Sequence, residues 1–288
     1  MLLVGLFSIS VSAILIRWAS GEAPAEALAV WRTIFASLLL LPFSVVKVRK
    51  EIRSFSMREV VLIAVSGVFL GLHFIFWISS LYYTSVASAS VLVSLSPIFL
   101  ATIGFLVLKE KPTRKEIGAI LVATAGTILL GMSDHSAVGA SALNPLKGNS
   151  MALFAALLVS VYLLIGRVVR QNRSWLAYVG PLYVVTALTT LVYALLSDTP
   201  LLGYSWNTYG LCLLMAIIPQ LLGHGTLNYA VRFLPAATIG LASLFEPIGA
   251  SLLAFLLFGE SPSTIGIAAM VIILASISVA ILKPKPSA

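Results

Sequence analysis

Glu246 is the one carboxylate that falls deep inside an apolar run of this sequence. A charge at the centre of a bilayer costs about 2.5 to 3.5 kcal/mol on insertion scales, so such a group needs a partner or water. Three roles are open to it: exchanging a proton, binding a cationic group, or holding a cavity by accepting bonds from neighbouring helices. The next residue, Pro247, has a counterpart in Pro97 of an earlier run. Proline removes one backbone bond and frees the carbonyl four residues earlier, here those of Ser243 and Val93. Such a carbonyl cannot face lipid and must face protein or a water-filled cavity. The two prolines read either as midplane hinges presenting polar backbone to a solute or as packed kinks.

Other polar residues recur at helical spacing. Gln220, His224 and Asn228 stand at intervals of four beside Pro219, and His73 stands four before Trp77, with Ser80 next on that face. On an α-helix such residues share one stripe. Gly67-x-x-x-Gly71 allows close helix packing on another face of the same segment. Ala87, Ser90, Ser94, Pro97 and Ala101 make a small, partly polar stripe that suits either a cavity wall or plain packing. Tyr162 and Trp77 offer rings on which a flat apolar solute could stack. A lone buried histidine is more often a bonded core residue than a ligand-binding one, and an aromatic side chain facing lipid is the ordinary alternative. The expectation is that His73, Trp77, Ser94, Tyr162, Gln220, His224 and Asn228 line a central cavity large enough for an amino-acid-sized molecule. Pro97, Ser243, Glu246 and Pro247 would form the hinge, gate or coupling group.

These residues must sit on membrane-spanning helices. Of 288 residues 60% are hydrophobic and 10% charged, and the mean hydropathy is +1.06. Ten acidic and eighteen basic residues could not cover a water-soluble surface of this size. A spanning helix takes about 20 apolar residues, and the chain divides into ten such runs near 2–18, 26–46, 58–80, 84–108, 114–132, 148–169, 175–196, 208–230, 236–258 and 263–282. Ser56 with Glu59 and Thr113 with Glu116 fit capping boxes at two of the starts. The first run could be a secretory leader with small residues at Ala23-Pro24-Ala25, but the basic segment expected before it is missing.

The net charge of +8 does not point to nucleic acid, because the basic residues lie in short clusters between apolar runs. With both termini cytoplasmic, fifteen of the eighteen fall on the inner side, all but Arg17, Arg32 and Lys147. Glu22, Glu26, Asp134, Asp198 and Glu260 fall outside, where Tyr204 and Trp206 suit an aromatic anchor. Adding or losing one helix would destroy this bias.

A shift of 150 residues superposes Arg17 on Arg167, Ala87 on Ala237, Pro97-Ile98 on Pro247-Ile248, Phe105-Leu106 on Phe255-Leu256, Glu110 on Glu260 and Pro112 on Pro262. Arginine, glutamate and proline are rare in or beside spans, which argues against chance. Five crossings are an odd number, so the second copy would lie upside down relative to the first. In that design a solute site lies near the midplane between two halves. The expected fold is an all-α membrane protein with two inverted five-helix repeats, residues 1–133 and 148–288, joined by an extracytoplasmic linker, 134–147. His73 and His224 then fall on corresponding helices.

Length, spans, halves and the pattern Pro97 … Glu110-x-Pro112, repeated as Glu246-Pro247 … Glu260-x-Pro262, resemble the drug/metabolite transporter superfamily of the EamA type. Arg32 of Ala29-Val30-Trp31-Arg32 is also typical of it. Ser96 stands where the second half has Glu246, so the halves are not chemically equivalent. The resemblance covers almost the whole chain and implies secondary transport, commonly efflux of small metabolites across a bacterial inner membrane. Within the superfamily the chain is most similar to exporters of aromatic amino acids and related amphipathic compounds.

Alternatives are proton-coupled efflux of cationic drugs, a channel, a non-transporting scaffold and a membrane-embedded enzyme. Neither His-Glu-x-x-His nor Gly-x-Ser-x-Gly is present to support the last. No Gly-x-x-x-x-Gly-Lys loop is present for a nucleotide, and the single Cys212 excludes an intrachain disulfide and a cysteine-rich metal site. The expected partners are a small-molecule solute and lipid, with protons as a possible coupling ion and no cofactor.

Overall fold

The computed structural model describes residues 2–84, 86–133, 144–259 and 261–281. Glu260, Asp134, Lys283, Lys285 and linker residues 134–143 lie outside that set. All regular secondary structure among the described residues is helical. Eight helices are long and apolar enough to cross a membrane: α1 (Leu2–Ala19), α2 (Ala25–Arg53), α3 (Met57–Tyr83), α4 (Ser88–Leu108), then α6 (Pro145–Arg170), α7 (Trp175–Leu196), α8 (Trp206–Ala230) and α9 (Ala236–Leu257). Two further apolar helices, α5 (Arg114–Ser133) and α10 (Thr264–Ile281), occupy the positions expected of the fifth and tenth runs.

Local chemistry explains several boundaries. The Ser56 hydroxyl accepts from the Glu59 amide, and the Glu59 carboxylate accepts from the Ser56 amide in return. Thr113 and Glu116 make the same reciprocal pair at the start of α5. Two boundaries differ from expectation. α2 continues past residue 46 to Arg53, with a kink at the non-helical Val48 (φ −124°, ψ 18°) that sets its basic last turn at an angle to the rest. α6 begins at Pro145 rather than 148, since Asn144 caps it by accepting from the Lys147 amide and proline suits a first helical position. Residues 145–147 are therefore helix, not linker.

Helix contacts exchange under the 150-residue shift. α3 packs along α6 as α8 packs along α1, α4 meets α6 as α9 meets α1, and α3 meets α7 as α8 meets α2. The remaining major contacts pair counterparts with each other, α2 with α7, α4 with α9 and α5 with α10. Lipid tails are as apolar as leucine, so such packing depends on close van der Waals fit rather than hydrophobic exclusion. Gly67 and Gly71 provide it: a β-carbon on either would stand 2.6 Å from Val185 or 2.8 Å from Thr189 of α7. The Thr186 hydroxyl of the same helix bonds the Gly67 carbonyl at 3.3 Å. Leu38, Phe43, Val46, Leu106, Val107 and Leu121 face outward instead, as a lipid-exposed surface requires.

Candidate functional site

Four helices lose α-helical regularity inside the bundle, and the losses converge. α4 breaks between Val93 and Ser96, placing Pro97 in the first turn of its second segment. α9 breaks at Leu244, between Ser243 and Phe245, with Glu246 and Pro247 in the first turn that follows. α1 is interrupted at Val11. In α8 the stretch Ala216–His224 is π-helical around Pro219, and the Gly225 amide reaches the Gln220 carbonyl five residues back. Missing amides and freed carbonyls explain the proline-associated breaks. Neighbours satisfy some of the exposed groups: the Ser160 hydroxyl donates to the Ser96 carbonyl (3.2 Å) and the Tyr183 hydroxyl to the Gln220 carbonyl (2.9 Å).

Between these breaks lies a cavity of about 50 Å³. Its walls include Ser12, Arg32, His73, Phe74, Trp77, Val93, Ser94, Ser96, Pro219, His224, Ser243 and Glu246. Of the residues expected to line a site, His73, Trp77, Ser94 and His224 are there, joined by Ser243 and Glu246 of the hinge group. At about 10–15 Å³ of such volume per water, the space accommodates roughly three to five waters. An aromatic amino acid would require the walls to part.

The two histidines face each other, ring centroids 5.9 Å apart. His73 Nδ1 lies 2.9 Å from the Ala155 carbonyl oxygen; because a carbonyl only accepts, Nδ1 carries the proton and Nε2 is left as an acceptor. His224 Nδ1 pairs with the Tyr162 hydroxyl at 3.0 Å, and its ring meets Phe74 edge-on at 5.0 Å.

Tyr162, Gln220 and Asn228 do not form cavity wall. Tyr162 is fully buried behind His224. The Asn228 amide donates to the His224 carbonyl at 2.9 Å. Gln220 stands behind Arg32, accepting from its Nε at 3.1 Å. The expected stripe assumes α-helical spacing, and the wider π turn of Ala216–His224 puts Gln220 and His224, four apart, on different faces. Pro97 and Pro247 lie at the breaks without lining the cavity; a β-carbon on Gly240 would come 2.7 Å from the Pro97 α-carbon, so α4 and α9 touch there.

Arg32 is the wall residue that sequence reasoning left unassigned. It is 1% exposed, bonded to Gln220 and, at 3.5 Å, to the Ser12 hydroxyl, with its guanidinium 4.1 Å above the Phe74 ring. The signal that could have found it is an arginine inside a span with no acidic residue within four positions on either side.

Ties between connections close the bundle at both ends. At one end Arg167 pairs with Glu110 and donates to the carbonyls of Val231 (2.8 Å) and Leu234 (2.6 Å), while Glu110 accepts from the Ala236 amide (3.1 Å). At the other, Glu22 accepts from the hydroxyls of Ser205 and Thr208 and from the Ser205 amide. These bonds hold the carboxyl of Glu22 below the ordinary carboxylate range.

A helical membrane protein with four interrupted helices around one cavity, lined by both polar and apolar side chains, has the architecture of a transporter. The EamA-like transporter family model matches residues 1–132 and 146–282, and the chain belongs to that family. It is 23% identical over 232 residues to an uncharacterised transporter of Clostridium kluyveri, covering 79% of this chain and 74% of that one. It is likewise 23% identical over 246 residues to the uncharacterised transporter YyaM of Bacillus subtilis, covering 84% and 79%. A crystal structure with 18% sequence identity shares the fold, with a TM-score of 0.77 over 97% of this chain and 95% of the other. The protein is therefore a multi-pass membrane transporter of small molecules rather than an enzyme.

Proposed function

We propose that this transporter exports small amphipathic metabolites, amino acids with aromatic or other apolar side chains foremost, by alternating access between two inverted five-helix halves. The single observation that carries the reading is the cavity itself: breaks in α4 and α9, counterparts under the 150-residue shift, bring Val93, Ser94, Ser96, Ser243 and Glu246 to one small cavity of mixed polar and apolar lining. Trp77 and Phe74 add apolar wall beside the charged and imidazole groups. The distribution of basic residues supports ten spans with both termini cytoplasmic, and the bacterial origin of the named relatives supports residence in a bacterial inner membrane.

A second reading, efflux of cationic drugs coupled to protons, draws on the Glu246 carboxylate in the wall. Arg32 in the same wall weighs against it, because a fixed guanidinium repels a cation in a space of low dielectric. The test is flux in proteoliposomes with a panel of radiolabelled amino acids and cationic drugs. Saturable, competable amino-acid flux at far below channel rates is expected. Flux of cations alone would favour the second reading, and flux that never saturates would indicate a channel.

A further inference from the structure

The arginines of this protein differ in how their donors are met. Arg167 has a carboxylate and two carbonyls, Arg170 has the carbonyls of Asn228 and Arg173, and Arg173 has Glu59 with the Ser54 hydroxyl and carbonyl. Arg32, more deeply buried than Arg167 or Arg173, has one good bond, to a neutral amide, and one at the limit of bonding. Its Nη2 is buried with no partner, and so is Nε2 of Gln220, the side chain it is bonded to. Adjacent unsatisfied donors of this kind cost stability unless a ligand meets them. The planar fork of a guanidinium matches a carboxylate bidentately.

Glu246 mirrors this in the same cavity. Glu59 and Glu110 each accept several bonds, whereas among the described residues Glu246 has no hydrogen bond and no ion pair. It is not within salt-bridge distance of Arg32. The cavity thus keeps a guanidinium and a carboxyl group apart, beyond pairing distance of each other. A ligand bearing one charge would answer one of them, displace the cavity water and leave the other without a partner, which is costly. A ligand bearing both answers both.

We propose that the cavity, once its walls part, is a receptor for a zwitterion, an α-amino acid whose carboxylate binds Arg32, held in place by Gln220, and whose ammonium faces Glu246. This rests on the carrier reading above and assigns its poles. The apolar side chain would then lie toward Trp77.

The experiment uses the full chain, purified, with binding measured by thermal shift and by flux competition. The probes are L-phenylalanine and L-leucine, their decarboxylated amines (phenethylamine and 3-methylbutylamine) and their deaminated acids (3-phenylpropionate and 4-methylpentanoate). An amino acid should bind at least about tenfold more tightly than its own amine and its own acid, the scale on which a site with buried polar groups rejects an analogue lacking the matching group. In Arg32→Gln the preference for amino acid over amine should shrink to about twofold or less, and Glu246→Gln should do the same to the preference over the acid. These comparisons within the wild type do not depend on a variant folding. An amine equal to its amino acid would remove the carboxylate pole, and an equal acid would remove the ammonium pole; either overturns the proposal. If the cationic drugs are carried but none of the six probes binds, the zwitterion assignment fails while the carrier reading stands. If nothing in either set is bound or carried, both fail.

Discussion

Gly240 of α9 lies against Pro97 of α4 so closely that a β-carbon on the glycine would stand 2.7 Å from the proline α-carbon. The contact joins the break in one helix to the helix that carries the other break. Alanine is ordinarily favoured over glycine inside a helix by about 0.5–1 kcal/mol. Overpacking against backbone costs about 1–3 kcal/mol and should win here. Gly240→Ala is therefore expected to lower the melting temperature. Gly210→Ala in α8, where nothing lies within 4 Å, should raise it or leave it unchanged. Thermal unfolding of both in one detergent checks the sign; a stabilised Gly240→Ala would mean that the two helices can separate freely at this point.

Arg167 gathers the α4–α5 and α8–α9 connections onto α6 through Glu110 and the carbonyls of Val231 and Leu234. Hydrogen bonds to a charged group are worth about 1.5–3 kcal/mol. Arg167→Gln should thus loosen the segment from Val231 to Ala236 locally, with amide exchange there faster by about tenfold or more. Hydrogen–deuterium exchange of peptides covering that segment is the measurement. Unchanged protection would show that packing alone fixes the connection.

Glu22 gives a pH dependence with a definite sign. Its carboxylate accepts from Thr208 and Ser205, which lowers its pKa from the ordinary 4.5. A group depressed in the folded state contributes stability above its unfolded pKa and loses it as pH falls through the folded value. The wild type should therefore melt above Glu22→Gln at pH 7. The gap should narrow below pH about 4.5 and close once the folded-state carboxyl is protonated. Melting curves of the pair between pH 7 and 3 test this, and a gap independent of pH would assign the effect to neutral hydrogen bonding.

How much of this was legible beforehand depended on whether a residue's rarity or its geometry carried the signal. Pro97, Pro247 and Glu246 are conspicuous inside apolar runs, and the helix breaks lie beside them. His73 and His224 could be placed together because the 150-residue shift puts their helices in corresponding positions. The glycine pair Gly67 and Gly71 announced a close neighbour by spacing alone, without saying that α7 supplies it. α-Helical spacing puts Gln220 and Asn228 in the wall; the π turn around Pro219 shifts Gln220 relative to His224, and the Asn228 amide is taken up by the His224 carbonyl. Hydrophobic periodicity cannot display such a turn, because it adds one residue without changing composition. Arg32 was visible as an arginine typical of the family, but its exposure to the cavity depends on long-range packing of α1, α3 and α8 around it. Ser12 and Ser96 are too common in such helices to stand out.

Gln220→Glu offers an internal carboxylate to Arg32 at the position now held by a neutral amide oxygen 3.1 Å from Nε. If the guanidinium is short of an anionic partner, the variant should gain stability, since a charged acceptor bonds about twice as strongly as a neutral one. The same carboxylate would compete with that of a bound amino acid, so affinity should fall by about tenfold or more. Gln220→Leu makes the contrasting case, leaving the buried charge with the Ser12 contact and the Phe74 ring. Removing the acceptor of a hydrogen bond from a buried charged group costs about 1.5–3 kcal/mol, so this variant should be the least stable of the three. Melting temperature and amino-acid binding measured on wild type, Gln220→Glu and Gln220→Leu should therefore rank differently: Glu first in stability, wild type first in binding. A glutamate variant that lost stability would show that Arg32 already has the partners it needs.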